Sequence, residues 1–355
     1  MLFNYRYVAH DIEKLQDYLD HLVKEVWCKA QGDFSVNLLH KDLKDIVIAV
    51  ENDDSVKMKL LKPIRDIFNL FKDLPPDYKA ELGSSYDANN NIEGLCSNAP
   101  GNHPITYDEI ALIDEELAKQ LKDFYKDLWS RVINLEAVKG KTGNIDDHYV
   151  AFVKVNNEDK CPYCGFGGIK GQYHTKREAY DHYFPKGTYP FSSVNFKNLA
   201  LMCHECNSSY KLAKDPTQNL NPINRKNGGG RRKAFYSYAA NPSGISFSVQ
   251  LHTKDVERLH PKEIKLTITA PGRDEEVESW KDVFGIEERY KAMFCGKNDG
   301  KYWLTQATEE CKSRNITSQE IIQMIQRIAA HSPWAQCNFL KSPFLLACQT
   351  AGLIR

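Results

Sequence analysis

Nowhere in these 355 residues does an apolar run approach the roughly 18 that a membrane-spanning helix needs, so no such span is expected. The opening stretch MLFNYRYVAHDIEKL has neither the basic leader nor the continuous apolar segment of a secretory signal, and a cytoplasmic location is expected. The chain also lacks net charge, because 47 Lys and Arg balance 47 Asp and Glu, so any attraction for a polyanion must be local. No internal repeat is evident. What remains, 42% hydrophobic and 26% charged residues, is an ordinary globular composition, and the length allows two or three domains.

Ten cysteines need an explanation in a chain expected to be cytoplasmic, where disulfides are rare and clustered cysteines more often bind metal. Six of them, Cys28, Cys96, Cys295, Cys311, Cys337 and Cys348, are scattered and are assigned no role. The other four form two CxxC pairs, Cys161-Pro-Tyr-Cys164 and Cys203-His-Glu-Cys206, with 38 residues between them. Each pair presents two thiolates from one tight turn, and together they make the ligand set of a tetrahedral zinc. An all-cysteine site is closed, without an open coordination position, so this zinc is expected to be structural rather than catalytic. His204, between the second pair, and the nearby His174 are assigned no role.

Charge is uneven along the chain. Residues 161–235 carry twelve Lys and Arg against four Asp and Glu, a local +8, which leaves −8 for the rest. A basic field inside a neutral chain suits a phosphate-backbone partner, although a solvated lysine-rich loop has the same composition. The region before it reads as helical. Thr106 and Glu109 are placed as a capping box, and Ile110, Ile113, Leu117, Leu121, Phe124, Leu128 and Val132 follow at three-to-four-residue spacing, predicting one amphipathic helix. Residues 11–28 and 55–72 have similar patterns, and the Asn-, Gly- and Pro-rich stretch 83–104 reads as a loop. HYVAFVKV, 148–155, reads as a strand feeding the first cysteine pair. After a basic linker, NRKNGGGRRK, the segments ISFSVQL and EIKLTIT alternate apolar and polar residues and suggest an antiparallel pair. In the tail, Thr317 and Glu320 form a second capping box ahead of Ile321, Ile322, Ile325 and Ile328. The expected class is α+β: a helical region over 1–145, a central region over 146–235, and a β-pair with helices over 236–355.

Across the two cysteine pairs runs EAYDHYFPKGTYPFSSVNFKNLALMCHECNSSYK. This segment resembles the HNH motif of the His-Me finger, or ββα-metal, nucleases, over roughly 55 residues between about Cys161 and Lys214. Carried over position by position, Asp181 resembles the first metal ligand, His182 the general base, Asn198 the mid-motif asparagine, and Asn207 the second metal ligand. Fifteen residues separate His182 from Asn198 and eight separate Asn198 from Asn207, gaps similar to those with which the family folds a hairpin over one short helix. The resemblance implies a zinc-stapled ββα-metal domain that hydrolyses phosphodiester bonds of DNA.

That chemistry suits these residue types. Hydrolysis needs a base near neutral pKa to deprotonate water, and a cation to stabilise charge on the phosphate and the leaving oxygen. An unperturbed histidine titrates near ~6.5 and fits the first role, provided a partner, expected to be a backbone carbonyl, fixes its tautomer. Asp181 and Asn207 offer a sparse, hard, oxygen-only set that suits magnesium or manganese. Lys186, Lys197, Lys211 and Lys214, with Arg225, Lys226, Arg231, Arg232 and Lys233, are the candidates for phosphate contacts. The wording DHYFPKGTYP and NLALMCHECNSSYK is also similar to nucleases of prokaryotic defence systems of the Septu and retron-associated kinds, which implies an antiphage role and a partner ATPase. Cutting both strands would need two copies, so a homo-oligomer is expected only in that case. The rival reading is a zinc-stapled nucleic-acid-binding or scaffold module without cleavage activity; intact Asp181, His182 and Asn207 favour the enzyme.

Overall fold

Helix accounts for 55% of the chain and strand for only 6%, in two small antiparallel sheets, so the sheets are set into a helical scaffold rather than forming one. The class is α+β, as expected. The computed structural model describes residues 1–50, 53, 57–219 and 230–354. The linker positions Arg225 and Lys226 lie outside the described residues. Among the described residues no helix is long and apolar enough to cross a membrane.

The first half contains α1 (Lys14–His21), which runs on into a π-helical turn over Leu22–Trp27, then α2 (Lys41–Ala49), α3 (Leu61–Asp73), α4 (Pro76–Asn90), α5 (Ile92–Cys96), α6 (Tyr107–Ala111), α7 (Glu115–Ser130), α8 (Glu136–Thr142) and α9 (Ile145–Val155). Except for α5, whose Ile92, Leu95 and Cys96 belong to a second core, their apolar stripes meet in one core. Ile64, Ile67, Phe68 and Phe71 of α3 are buried at helical spacing, and Trp27 packs between Phe71 and Phe124 at ring separations of 5.8 and 5.4 Å.

Three expectations are corrected here. The single helix predicted after Thr106 is two: the Thr106–Glu109 box starts α6, but Asp114 then caps a new helix through Leu117 N–H at 2.9 Å, leaving Leu112 88% exposed at the break. The stretch 83–104 is not one loop, because α4 continues to Asn90 and α5 occupies Ile92–Cys96. Asn89 braces and Asn91 caps, while Asn98, at φ +50, turns the chain after α5. Finally, 148–155 is not a strand. Asn144 caps α9 through Asp147 N–H at 2.8 Å, and burial falls on His148, Tyr149, Phe152 and Val153, a helical stripe. Val150, which an alternating strand would bury with His148 and Phe152, is 48% exposed.

β1 (Tyr180–His182) pairs with β2 (Leu199–Leu201), in the register Tyr180 to Leu201, Asp181 to Ala200 and His182 to Leu199. Side chains alternate across a ribbon, so its two faces enter different cores. Tyr180, Leu199 and Leu201 join the N-terminal helical core, while Ala200 and Met202 join a second core with the four cysteines and the C-terminal helices. His182 therefore shares the first face and Asp181 the second.

The remainder holds the expected β-pair, β3 (Ser246–Leu251) against β4 (Ile264–Thr269), then α10 (Asp274–Phe284), α11 (Ile286–Cys295), α12 (Gly300–Arg314), α13 (Ser318–His331) and α14 (Asn338–Thr350). The Thr317–Glu320 box forms at the start of α13, and Ile321, Ile322 and Ile325 are buried, but Ile328 is 46% exposed one turn past the contact. The first residues of the chain reach across the molecule. Leu2 N–H donates to the Pro162 carbonyl at 2.8 Å, Tyr5 N–H to Ser237 at 2.9 Å, and the Leu2 carbonyl accepts from Ser243 Oγ at 3.1 Å.

His148, in the wall between α9 and β1, has Nδ1 2.6 Å from the Tyr180 hydroxyl and its ring centroid 4.6 Å from that of Phe196. Burial, with His10 adding repulsion, lowers its pKa from 6.5 to about 4. The unfolded chain then holds the extra proton between those values, so His148 contributes stability that is fully present above pH 6.5 and lost as pH falls toward 4, roughly 3 kcal/mol at most. Urea midpoints measured from pH 4 to 7 should rise with pH, and His148→Phe should flatten that rise; an unchanged slope would refute the assignment.

Candidate functional site

The two cysteine pairs converge. Cys161, Cys164, Cys203 and Cys206 are all buried, and their sulfurs lie within 4.8 Å of one another. For a tetrahedral ion with zinc–sulfur bonds near 2.3 Å, ligand sulfurs stand about 3.8 Å apart. Cys164 Sγ and Cys203 Sγ are 3.8 Å apart, far outside disulfide length. The four thus could hold a metal ion, and their chemistry and spacing are consistent with a structural zinc.

Two glycines make this convergence possible. Gly165 closes the first knuckle at φ +79, where the space a Cβ would take is filled by Leu2 and Phe339. Gly167 donates its N–H to Cys164 Sγ at 3.3 Å, and a Cβ on it would fall 2.4 Å from Cys203 Sγ. The C-terminal helices hold the knuckle from behind: Trp280 Nε1 donates to the Tyr163 carbonyl at 2.7 Å and Tyr290 OH to that of Cys164 at 3.1 Å. From α11, Arg289 donates through one Nη to Cys206 Sγ at 3.2 Å and through the other to Glu205 at 2.7 Å. Its guanidinium lies over Phe166 and Tyr210, 4.7 and 4.4 Å from their centroids. Four thiolates around a divalent ion carry net negative charge, and this buried cation offsets it.

On β1, His182 is 6% exposed. Its Nε2 is 2.8 Å from the Ser193 carbonyl, which can only accept, so Nε2 carries the proton and Nδ1 is the basic nitrogen. Nδ1 has no protein partner among the described residues. The ring of Trp129, from α7, meets it edge-on at 4.7 Å. Burial, with Lys186 and Lys211 adding repulsion, lowers the imidazole pKa to about 3 and keeps it neutral.

The carbonyl that orients His182 sits in a loop held from three sides. Asn198, fully buried, accepts from Phe184 N–H at 2.8 Å and donates to the Phe184 carbonyl at 3.0 Å. Asn89, at the end of α4, donates to the Pro190 and Ile105 carbonyls and accepts from Ile105 N–H, which satisfies its whole amide. Phe191 between them has φ +78, a conformation that a residue with a Cβ keeps only under constraint; its ring packs on Tyr86 and Tyr125 at 5.2 and 5.6 Å.

Asp181, 8% exposed, faces the other way, toward a π-helical turn over Cys206–Lys211. Lys211 was expected to reach a phosphate from the surface; it is instead completely buried, with Nζ 2.9 Å from Asp181 Oδ2 and 2.9 Å from the His182 carbonyl. The Asp181 contact is an ion pair rather than a directed hydrogen bond, since Oδ2 finds no well-aligned donor. Burial raises the carboxyl pKa above its ordinary value, and Lys211 pulls against that rise. Asn207 opens the same turn, half-buried, its side chain without a hydrogen-bond partner among the described residues.

The other basic candidates scatter. Arg232 is also corrected: it is buried and paired with Asp282 at 2.6 Å, so its charge is already matched. Arg231 donates to the Tyr189 hydroxyl at 3.0 Å, Lys214 reaches the Val283 carbonyl at 3.4 Å, Lys186 is half-buried, and Lys197 is exposed. Ser193, Trp129, Arg289 and the inward turn of Lys211 have no signature in the sequence, because each acts through a tertiary contact. No family model matches the chain, and no curated protein or solved structure matches it.

Metal analysis of the purified chain should find a single zinc, absent from Cys203→Ser. Arg289→Met should retain it but release it to a chelator with affinity lower by on the order of 10- to 100-fold; unchanged release would show that the guanidinium does not support the thiolates. Asn198→Ala, which strands two buried backbone groups, should cost roughly 2–4 kcal/mol in urea unfolding.

Proposed function

We propose that the chain is a metal-dependent endonuclease of the HNH type, in which His182 deprotonates the water that attacks a DNA phosphodiester. The observation that carries this reading is the geometry of His182, its Nε2 proton committed to the Ser193 carbonyl and its Nδ1 uncommitted, on a short strand beside Asp181; the burial that holds its pKa at about 3 has to be relieved for it to act as a base near neutral pH. Asn198 acts here as a positioning residue, joining both ends of the loop that carries Ser193 rather than touching substrate. Trp129 packs against the imidazole in a T-shaped contact, with ring centroids 4.7 Å apart.

The donor set suits a divalent ion in kind: a carboxylate on Asp181 and an uncommitted amide on Asn207 are hard oxygen ligands. An ion held there would stabilise charge on the scissile phosphate and the leaving oxygen. The exposed Lys197 and the half-buried Lys186, Lys214 and Arg231 remain available to flanking phosphates.

A second reading is favoured by one observation, the Lys211 ammonium standing on Asp181. A protein that never loads a divalent ion would neutralise its carboxylate in this way, and the chain would then be a zinc-stapled nucleic-acid-binding or scaffold module. Incubating wild type and His182→Ala with supercoiled and single-stranded DNA, with magnesium, manganese or EDTA, separates the two. Endonuclease activity predicts cleavage by wild type alone, abolished by EDTA, with a loss of at least about 100-fold on removing the base. Retention of DNA without cleavage by either protein selects the binding module.

A further inference from the structure

Lys211 has no solvent exposure at all, which is unusual for an ammonium on a four-carbon stem. A charge taken out of water survives only among acceptors. Lys211 Nζ has three oxygens within reach: Asp181 Oδ2 at 2.9 Å, the His182 carbonyl at 2.9 Å and the Leu212 carbonyl at 3.5 Å. One carboxylate and two carbonyls converging on a point are also the donor set of a hard divalent cation.

The backbone is bent to deliver this nitrogen. Leu212 N–H bonds the Asn207 carbonyl at 3.0 Å, five residues back, so the turn holds one residue more than an α-turn and rotates Lys211 inward. Leu212, 56% exposed, then takes φ +51 and ψ −128, a positive-φ conformation that a leucine adopts only under constraint. Neither feature stabilises an apolar core. Both are explained if the turn serves to plant the ammonium on Asp181.

We infer that Lys211 is the resident cation of this oxygen cradle, and that a divalent ion occupies the cradle only by displacing the Lys211 ammonium. Asp181 Oδ2 and the His182 and Leu212 carbonyls are the oxygens that an ion centred in this cradle would use, and Lys211 Nζ already stands among them, so the side chain and the ion compete for one position. Release of the π-turn toward a regular helix, with Leu212 leaving its positive-φ conformation, gives Lys211 a route outward. The chain thereby carries its own competitor for metal and is selective for conditions that move the turn. The inference rests on the endonuclease reading only in treating Asp181 as a metal ligand.

The test is the binding of Mn2+ to the zinc-loaded full chain, followed by the electron paramagnetic resonance of the free ion, for wild type, Lys211→Met and Lys211→Met/Asp181→Ala. Methionine keeps most of the stem and removes the charge. Lys211→Met is expected to bind Mn2+ about tenfold or more tightly than wild type, and the double variant to lose that site. Equal or weaker binding by Lys211→Met overturns the inference.

Should Lys211→Met not fold, the wild type decides alone. An amine-acetylating reagent should leave Lys211 unmodified without divalent ion and modify it once Mn2+ saturates the protein, as read by mass spectrometry of its peptide. Persistent protection at saturation overturns the inference. The two readings separate cleanly: tighter Mn2+ binding in Lys211→Met with no DNA cleavage by any variant sinks the endonuclease and leaves the competition standing. Metal-dependent cleavage by wild type with unchanged Mn2+ affinity in Lys211→Met does the reverse.

Discussion

β1 and β2 are three residues each and pair only with one another, and a two-stranded ribbon of that length has no independent stability in water. What holds it is the burial of both faces in different cores, with the four-cysteine cluster at its end. Tyr180, Leu199 and Leu201 are clamped by the N-terminal helices; Ala200 and Met202 lie against the second core, and Cys203 continues β2 directly into the cluster. Any account of the site inherits this arrangement. His182 and Asp181 are neighbours in sequence but belong to different environments, one governed by Trp129 and Ser193, the other by Lys211.

That division explains the electrostatics. On the His182 side no carboxylate pairs with the ring among the described residues; a carbonyl, the Trp129 ring and nearby lysines surround it, so the imidazole stays neutral. On the Asp181 side the carboxyl is buried deeply enough for its ordinary ionisation to be opposed, and a single ammonium offsets the penalty. Around the cysteines, Arg289 does the corresponding work for the thiolates. The centre of the molecule is thus a series of buried charges, each matched by one residue contributed from another part of the chain.

How much of this the sequence discloses depends on the range of the interaction. The CxxC pairs are legible because one tight turn delivers two sulfurs whatever surrounds it. The capping boxes at Thr106 and Thr317 and the β3–β4 alternation are legible for the same reason. The apolar run at 148–155 misleads because its composition suits either strand or helix, and the deciding residue, Asn144, lies just outside it. The break at Asp114 is hidden because the apolar spacing continues through it. Asp181, His182 and Asn198 can be picked out locally, whereas the Ser193 carbonyl and the Trp129 ring come from tertiary packing. Lys211 is the sharpest case: a lysine in a basic segment reads as a surface charge, and only the extra residue in the turn sends it inward.

The contacts of the first five residues carry a consequence for the order of assembly. Leu2 is hydrogen-bonded to Pro162 and Ser243 and fills, with Phe339, the space beside Gly165 in the first cysteine knuckle. These partners lie between 160 and 337 residues from Leu2 along the sequence, so the closure has a high contact order and completes late. On a ribosome, which makes Leu2 before its partners, the segment that seals the knuckle can complete its contacts only after residue 339 has emerged. The cysteine knuckle therefore stays unsealed until residue 339 has emerged, long after Cys206 and the hairpin that carries His182 and Asp181 have been made.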